Sequence, residues 1–166
     1  VLMTSSYLAE FAACTPWFDE VWVDEKPKLY NIGGIFRLRN RLKKANLTRI
    51  YDLQTSHRSS LYYKSFWPAR APEWSGISPG CSHFHSNPER NNLHTIDRLE
   101  DQLLEAGVML PPPPDFSWVN KDISKFKISG SYAVLVPGGA KHRPGKRWSK
   151  EHYRSLAEKL NNKGII

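Results

Sequence analysis

Short apolar runs alternate with amphipathic segments along the first part of the chain, and this alternation limits the fold more than any other feature. Residues 1–4, 20–23 and 48–53 predict strands. The segments between and after them predict helices at 5–13, at 29–45 and from the polar stretch after residue 54 towards Phe66. Because a helix carries the chain back to the end where the previous strand began, the order favours an α/β fold with a parallel sheet and helices on both faces.

A long irregular segment follows this alternating part. Residues 67–93 contain four prolines and two glycines, and a loop of that length inside a domain is more often functional than not. A helix is predicted at 95–106, ended by Gly107, and a short strand at 108–110.

Four consecutive prolines at 111–114 are too stiff for the interior of a sheet. We therefore expect them to approach a domain boundary. The sequence predicts a first domain at 1–115, a linker at 116–130 and the beginning of a second domain at 131–166. The last three residues, 164–166, indicate a further strand that is just beginning after a helix.

Residues 131–148, which read SYAVLVPGGAKHRPGKRW, predict a phosphate site. Residues 132–136 are typical of a buried strand, and Ser149 is placed to begin a helix. Glycine allows close backbone approach, so the amides of Gly138, Gly139 and Ala140 could meet a diphosphate, and Lys146 could neutralise it beside the helix N-terminus. An ordinary turn in a basic surface loop is the alternative.

The same loop excludes the common nucleoside-triphosphatase motif. Five residues separate Gly139 from Gly145, where that motif has four, and Arg147 stands where a magnesium-binding hydroxyl would be needed. The glycine fingerprint of dinucleotide-binding domains is absent from the sequence as well.

Polar residues follow the strand predicted at 48–53. Gln54 offers a donor and an acceptor, Ser56 offers a hydroxyl, and Arg58 can clasp a carboxylate or phosphate. That combination suits an acidic, polyhydroxylated ligand at the carboxyl end of a parallel strand. The alternative is a helix cap, with a hydroxyl on backbone amides and Arg58 in solvent. Asp52 is a conceivable general base, unless it is buried or paired.

The net charge of +8 and the isoelectric point of about 9.6 favour anionic partners, namely nucleic acid, phosphorylated sugars or an acidic membrane face. A solvated basic surface explains the charge equally well. Cys14 and Cys81 have no paired spacing, which suits a reducing cytoplasm. Cys81, His83 and His85 form the only metal-like grouping, but no second pair of ligands accompanies them, so polar contacts within a loop are favoured.

Two of these stretches together resemble glycosyltransferase family 9, the heptosyltransferase-like enzymes. Residues 51–59, YDLQTSHRS, resemble the family's D-x-Q-x-x-x-R/K-S segment. Residues 136–140, VPGGA, followed by KRW at 146–148, resemble its H-P-G-A/S … K-R/H-W segment, with Val136 in place of the usual histidine. The resemblance covers essentially the whole chain.

The resemblance implies two Rossmann-like domains in the GT-B arrangement. Such enzymes transfer heptose from ADP-heptose to the lipopolysaccharide core or another lipid-linked acceptor, with inversion and without an essential metal or other cofactor. By position, Gln54, Ser56 and Arg58 would bind the acceptor, and residues 138–140 with Lys146 would bind the donor diphosphate. The implied location is the cytoplasm, with contact at the inner-membrane surface left open, and no nucleic acid is implied.

The resemblance also implies what residues 1–166 lack. The family's general base is an aspartate in the loop after the first strand, and neither that strand nor most of the nucleotide-binding domain has a counterpart here. We therefore expect the catalytic base to lie outside these residues, and the chain alone to be inactive. A basic nucleic-acid-binding module is the alternative function, supported by the cationic side of the helix at 29–45.

Overall fold

The computed structural model of the protein describes residues 1–28, 30–110, 112–119, 122–139 and 144–166, with only the backbone of Lys146. These residues form two compact units, Val1–Trp118 and Val119–Ile166. The predicted linker at 116–130 is divided between the two units. Among the described residues, no helix combines the length and the apolar character that crossing a membrane requires.

The first unit begins with a strand, a helix and a second strand. Strand β1 is Leu2–Thr4, helix α1 is Ser6–Ala13 and strand β2 is Val21–Val23. Strands β1 and β2 pair in parallel, with Met3 opposite Trp22. This strand–helix–strand segment matches the predicted order. The helix returns the chain to the end of the sheet at which a second, parallel strand can begin.

A second, three-stranded sheet follows in the same unit. Helix α2 (Ile32–Lys44) precedes strand β3 (Arg49–Tyr51), and helix α3 (His57–Lys64) comes next. Strands β4 (Glu73–Gly76) and β5 (His83–Phe84) then complete a parallel sheet in the order β3-β4-β5, and helix α4 spans Thr95–Glu105. The expectation of an irregular segment at 67–93 was therefore wrong, because β4 and β5 both lie within it.

Helices cover both faces of this three-stranded sheet. Trp74 of β4 packs in the core cluster with Leu42 of α2, Tyr62 of α3 and Phe66, the last at 6.5 Å between ring centroids. Neighbouring side chains of a strand point to opposite faces, and Ser75 accordingly meets Gln102 of α4. The α/β class with a parallel arrangement and helices on both faces is thus present, in two short sheets.

Within the described part of the chain, strand β1 is hydrogen-bonded to a neighbouring strand along one edge only. The amide of Leu2 donates to the carbonyl of Glu20 at 2.8 Å, and the amide of Asp24 donates to the carbonyl of Thr4 at 2.7 Å. In a parallel ladder alternate residues bond the same neighbour, so the backbone groups of Met3 point to the opposite edge.

Among the residues that the structure describes, strand β3 likewise has one edge without a neighbouring strand. Its carbonyl at Thr48 accepts from Glu73 and its amide at Asp52 donates to Ser75, so the backbone groups of Arg49 and Tyr51 point away from β4. Within the described residues β1 and β3 share no backbone hydrogen bond. Both nevertheless contribute to one core, through Met3 and Ile50.

The second unit contains helix α5, Lys150–Asn161, as its only α-helix among the described residues. The prediction of a buried strand at 132–136 was wrong: these residues are not assigned to a strand, and Val134 and Val136 are 73% and 72% exposed. A buried parallel strand needs neighbours on both sides. Among the described residues, this segment is joined to residue 166 by two backbone hydrogen bonds. The amide of Ala133 donates to the carbonyl of Ile166 at 2.8 Å, and the amide of Ile166 donates to the carbonyl of Ser131 at 3.1 Å.

That pattern is the bond pair of a parallel bridge, although residues 164–166 are not assigned to a strand. The short strand predicted at 108–110 is absent, however. Residues 108–110 are not assigned to a strand, and Met109 is 89% exposed. The end of the preceding helix was predicted correctly, since Gly107 follows it with a φ of +74°, a conformation that glycine adopts readily.

Candidate ligand-binding edge of the three-stranded sheet

The loop between β3 and α3 carries the residues that the sequence predicts for an acceptor. Gln54 lies in this loop with its side chain exposed. Ser56 is the N-cap of α3: its hydroxyl accepts from the amide of Ser59 at 3.2 Å, and the hydroxyl of Ser59 in turn accepts from the amide of Ser56 at 2.9 Å. This reciprocal pair is a capping box, so the hydroxyl of Ser56 has a structural role.

Arg58 is exposed on the first turn of α3 and reaches back towards β2. Its Nη1 donates to the carbonyl of Pro27 at 3.1 Å. Beside it, the hydroxyl of Tyr62 donates to both carboxylate oxygens of Asp24, at 2.9 and 3.0 Å. Burial raises the pKa of Tyr62, with the carboxylate of Asp24 adding to the rise. Asp24 immediately follows β2 and was not singled out from the sequence, although its position at a strand end was a usable signal.

Asp52 lies directly after β3 and is only 6% exposed. Its Oδ1 accepts from the amide of Thr55 at 2.9 Å, whereas its Oδ2 is buried without a hydrogen-bond partner in the described part of the chain. Burial raises the pKa of the Asp52 carboxyl, and the nearby hydroxyl of Ser59, the backbone amides of Thr55 and Gln54 and the positive charge of Arg90 offset only part of the rise. A half-satisfied buried carboxyl is costly in a packed core, which makes this position a candidate for ligand contact.

Gln102 of α4 contacts the carboxyl ends of the same strands from the other face of the sheet. It is 1% exposed, and its Nε2 donates to the carbonyl of Asp52 at 3.0 Å and to the hydroxyl of Ser75 at 3.2 Å. Its Oε1 is buried and unpartnered among the described residues, as is the hydroxyl of Ser78, which is fully buried after β4. The sequence analysis missed Gln102, but a polar residue between Leu99 and Leu103 on the apolar stripe of a helix was a visible signal.

His85 follows β5 and completes the row of strand ends. Its amide donates to the carbonyl of Gly76 at 2.8 Å, and its Nε2 lies 2.9 Å from Oδ2 of Asp101 in α4. The hydrogen bonds from His85 and from Asn87 hold the pKa of Asp101 below its ordinary value. The ends of β3, β4 and β5 thus carry Asp52, Gly76 and His85 at one edge.

The three residues of the metal-like grouping have separate partners. Cys81 is buried, with Sγ 3.7 Å from the carbonyl of Gly76, and burial raises the pKa of its thiol. His83 lies 3.8 Å from Glu73, and His85 contacts Asp101. Within the described ranges, no three His, Cys, Asp or Glu side chains converge as metal ligands would.

The predicted phosphate loop belongs to the second unit. Gly138 and Gly139 are exposed, Ala140 lies outside the described residues, and Lys146 ends a short 3₁₀ turn at Pro144–Lys146, its side chain also outside them. Arg147 folds back onto the loop, its Nη2 donating to the carbonyl of Gly139 at 3.1 Å. A Cβ at Gly139 would lie 3.0 Å from Cγ of Arg147, so any larger residue there would require the arginine side chain to shift.

The helix predicted to begin near Ser149 does so. Ser149 is the N-cap of α5, and its hydroxyl accepts from the amide of His152 at 3.3 Å. The helix positive end therefore follows the glycine loop by about ten residues in sequence, in the same unit. Comparisons of the chain with protein-family models, with curated proteins and with solved structures found no match.

Proposed function

We propose that residues 1–166 belong to a glycosyltransferase of the GT-B arrangement. The enzyme transfers a sugar, heptose in the first instance, from a nucleotide diphosphate sugar to a lipopolysaccharide core acceptor with inversion. The first unit contributes to the acceptor side and the second to the donor side. Residues 1–166 do not include the catalytic base.

The observation that carries this proposal is the group of polar side chains at the carboxyl ends of β3, β4 and β5. Buried there are a carboxylate oxygen of Asp52 and an amide oxygen of Gln102 that have no partner among the described residues. Open parallel sheets bind ligands at the carboxyl ends of their strands, and sugar hydroxyls supply the donors that such acceptors lack. Gln54 lies exposed in the loop at the same edge and is the predicted acceptor residue best able to reach a ligand.

The separation of the two sheets supports the resemblance. In a doubly wound sheet of order 3-2-1-4-5-6, the first strand lies between the second and the fourth. If β1 and β2 correspond to the second and third strands, the family's first strand belongs between β1 and β3. Those are the strands with unpaired edges at Met3, Arg49 and Tyr51 in the described residues. The same strand would lead into the loop that carries the family's general base.

On the donor side, the proposal uses the loop and helix of the second unit. The amides of Gly138, Gly139 and Ala140 bind the diphosphate, and Lys146 offsets the charge that develops as the nucleotide leaves. An acceptor hydroxyl oxygen forms the new bond to the anomeric carbon as the bond to the diphosphate breaks. The hydroxyl proton goes to the base outside these residues, and the nucleotide diphosphate leaves with the electron pair of the broken bond.

The experiment is sugar transfer from ADP-heptose to heptose-deficient lipopolysaccharide core, measured for a longer protein that carries residues 1–166 with the flanking sequence. We expect transfer by the longer protein and none by the 166-residue chain alone. Gln54→Ala should reduce transfer, whereas Asn40→Ala, an exposed amide on α2, should leave it unchanged. A longer protein that transfers no sugar would refute the proposal, and activity of the 166-residue chain would refute the assignment of the base.

The alternative of a nucleic-acid-binding module is not favoured by the contacts of α2. Arg39 donates through Nε to the carbonyl of Ser65, at 2.8 Å, and through Nη2 to that of Trp67, at 3.0 Å. The guanidinium of Arg41 lies 4.2 Å from the ring centroid of Trp22. Both cations hold elements of the first unit together, which leaves fewer of them to bind a phosphate backbone.

A further inference from the structure

Two adjoining depressions lie on the surface of the first unit, at the amino ends of β3 and β4. Their volumes are about 570 and 360 Å³, and the walls that they share are formed by Phe66, Ala69, Arg70 and Ala71. The smaller one is also lined by Leu47 and Pro72, which lie just before β3 and β4. Because β3 and β4 are parallel, this edge of the sheet is opposite the carboxyl ends that form the candidate site.

The larger depression is lined by Trp67, whose side chain is 78% exposed. The backbone of this residue is held on both sides. Its amide donates to the carbonyl of Lys64 at 3.2 Å, and its carbonyl accepts from Nη2 of Arg39 at 3.0 Å. A large amphipathic ring is therefore presented to solvent from a fixed point of the backbone, beside walls that are mostly apolar.

Among the residues that the structure describes, three cations and no carboxylate line the two depressions. Lys64 and Arg70 line the larger one, and Lys43 lines the smaller one together with Arg70. None of the three joins an ion pair within the described ranges. The carboxylate that follows Pro72, on Glu73, is paired with Arg49. The surface as a whole therefore attracts anions.

We propose that this surface, defined by Lys43, Lys64, Trp67 and Arg70, docks on an anionic phospholipid bilayer. The indole lies at the level of the headgroups, where tryptophan is enriched in membrane proteins. The stems of the three cations lie along the apolar walls while their charged ends reach the lipid phosphates. The inference goes beyond the proposed function and does not rest on it, since it uses the opposite edge of the sheet.

A single-stranded nucleic acid is the other anionic polymer that such a charge attracts, but it stacks successive bases on several exposed rings. The other two rings of the larger depression are already engaged. Phe66 is buried in the core cluster. Tyr63 donates to the carbonyl of Gly80 at 2.6 Å, and its ring packs edge-on against Trp74 at 5.4 Å between centroids. One exposed ring among apolar walls favours a lipid surface.

The test is sedimentation of the 166-residue chain with vesicles of phosphatidylcholine alone and with vesicles of phosphatidylcholine and the anionic lipid phosphatidylglycerol. We expect binding to the mixed vesicles, weakened by added salt, and little binding to the neutral ones. Phosphatidylcholine brominated near the headgroup should quench the tryptophan fluorescence of the bound chain, and Trp67→Phe should remove this quenching. Equal binding to both kinds of vesicle, or binding to neither, would overturn the proposal.

Substitutions locate the binding on this surface. Lys64→Gln and Arg70→Gln should each weaken vesicle binding by about fivefold, the effect of one cation near an anionic membrane. Trp67→Ala should weaken it by about tenfold, since a partly inserted apolar side chain is lost, whereas Trp67→Phe should keep most of it. The matched controls are Lys26→Gln, an exposed cation after β2, and Tyr7→Ala, a ring on α1 that is 89% exposed. Neither should change the binding.

Equal weakening by Lys26→Gln and Lys64→Gln would mean that net charge alone drives binding, and that result would overturn the assignment of the surface. A mixed-sequence oligonucleotide that Trp67→Ala no longer binds, with no vesicle binding by the parent chain, would assign the surface to nucleic acid instead. Failure here is distinguishable from failure of the proposed function. Vesicle binding without sugar transfer by the longer protein would refute the transferase alone, and transfer without vesicle binding would refute this surface alone.

Discussion

Replacing Ser56 by alanine separates the structural role of this residue from its predicted role in acceptor binding. The change removes the hydroxyl that accepts from the amide of Ser59 at the start of α3. Loss of such a cap costs about 1 kcal/mol, with a range of roughly 0.5–2 kcal/mol. The buried hydroxyl of Ser59 keeps its hydrogen bonds, because it still accepts from the amide of Ser56 and donates to the carbonyl of Ser56. We therefore expect no further cost from an unpaired buried hydroxyl.

The assay is urea unfolding followed by tryptophan fluorescence. With a typical urea dependence of 1–3 kcal/mol per molar for small domains, a loss of about 1 kcal/mol lowers the midpoint by roughly 0.5 M. Ser56→Thr keeps a capping hydroxyl and should restore most of the loss. Ser60→Ala, one position beyond the box and without a side-chain hydrogen bond among the described residues, should change the midpoint little.

If Ser56→Ala unfolds at the parent midpoint while acceptor binding is lost, the hydroxyl serves the ligand and not the cap of α3. A lowered midpoint with unchanged binding would remove Ser56 from the acceptor site and leave Gln54 and Arg58 as its candidates.

Three further predictions follow from the geometry. Because burial raises the pKa of Asp52, the folded chain holds this proton more tightly than the unfolded chain, and the resulting stabilisation is present at low pH and lost as the pH rises through the raised value. The unfolding free energy of the parent minus that of Asp52→Asn, which does not titrate at this position, should therefore fall from pH 4 towards neutrality, and a constant difference would contradict this. In the longer protein, Lys146→Ala should lower donor turnover far more than acceptor binding, and steady-state kinetics showing equal losses would argue against a donor role. The amide hydrogens of Met3, Arg49 and Tyr51 should exchange rapidly in the 166-residue chain and become protected in the longer protein, whereas rapid exchange in both would leave no strand between β1 and β3.

The helices could be predicted from the sequence because their signals are local. The serine before the periodic segment at 150–161 predicts the N-terminus of α5, and Ser149 caps it in the structure. Gly107 likewise marks the end of α4. Caps, glycine stops and a period of 3.6 residues all act within a few positions of the chain, so they need no knowledge of tertiary partners.

Strands were harder to predict, because what buries a short strand is distant in the sequence. Strand β4 contains one large apolar residue, Trp74, and its Ser75 is buried by Gln102 of α4, 27 residues further on. No alternating pattern announces such a strand. The apolar run at 132–136 led to the opposite error, the prediction of a buried strand that is not there. Val134 and Val136 are exposed, because among the described residues no strands flank this segment on both sides.

The candidate site likewise contains residues that a local signal predicts and residues that only the fold brings together. Gln54 and Asp52 could be noticed because they follow a predicted strand, and that position alone suggests a ligand edge. The pairing of His85 with Asp101, and of Gln102 with the backbone of Asp52, joins residues 16 and 50 positions apart. Neither pairing follows from a motif, because each depends on which face of the sheet α4 covers.

An amide NMR titration of the longer protein with ADP, the nucleotide part of the proposed donor, tests the donor assignment most directly. We expect the amide resonances of Gly138 and Gly139 to shift, Lys146→Ala to weaken this binding, and a raised salt concentration not to abolish it. The donor assignment is contradicted if ADP leaves both glycines unchanged while a mixed-sequence oligonucleotide shifts the resonances of the basic face of α2 with a steep dependence on salt.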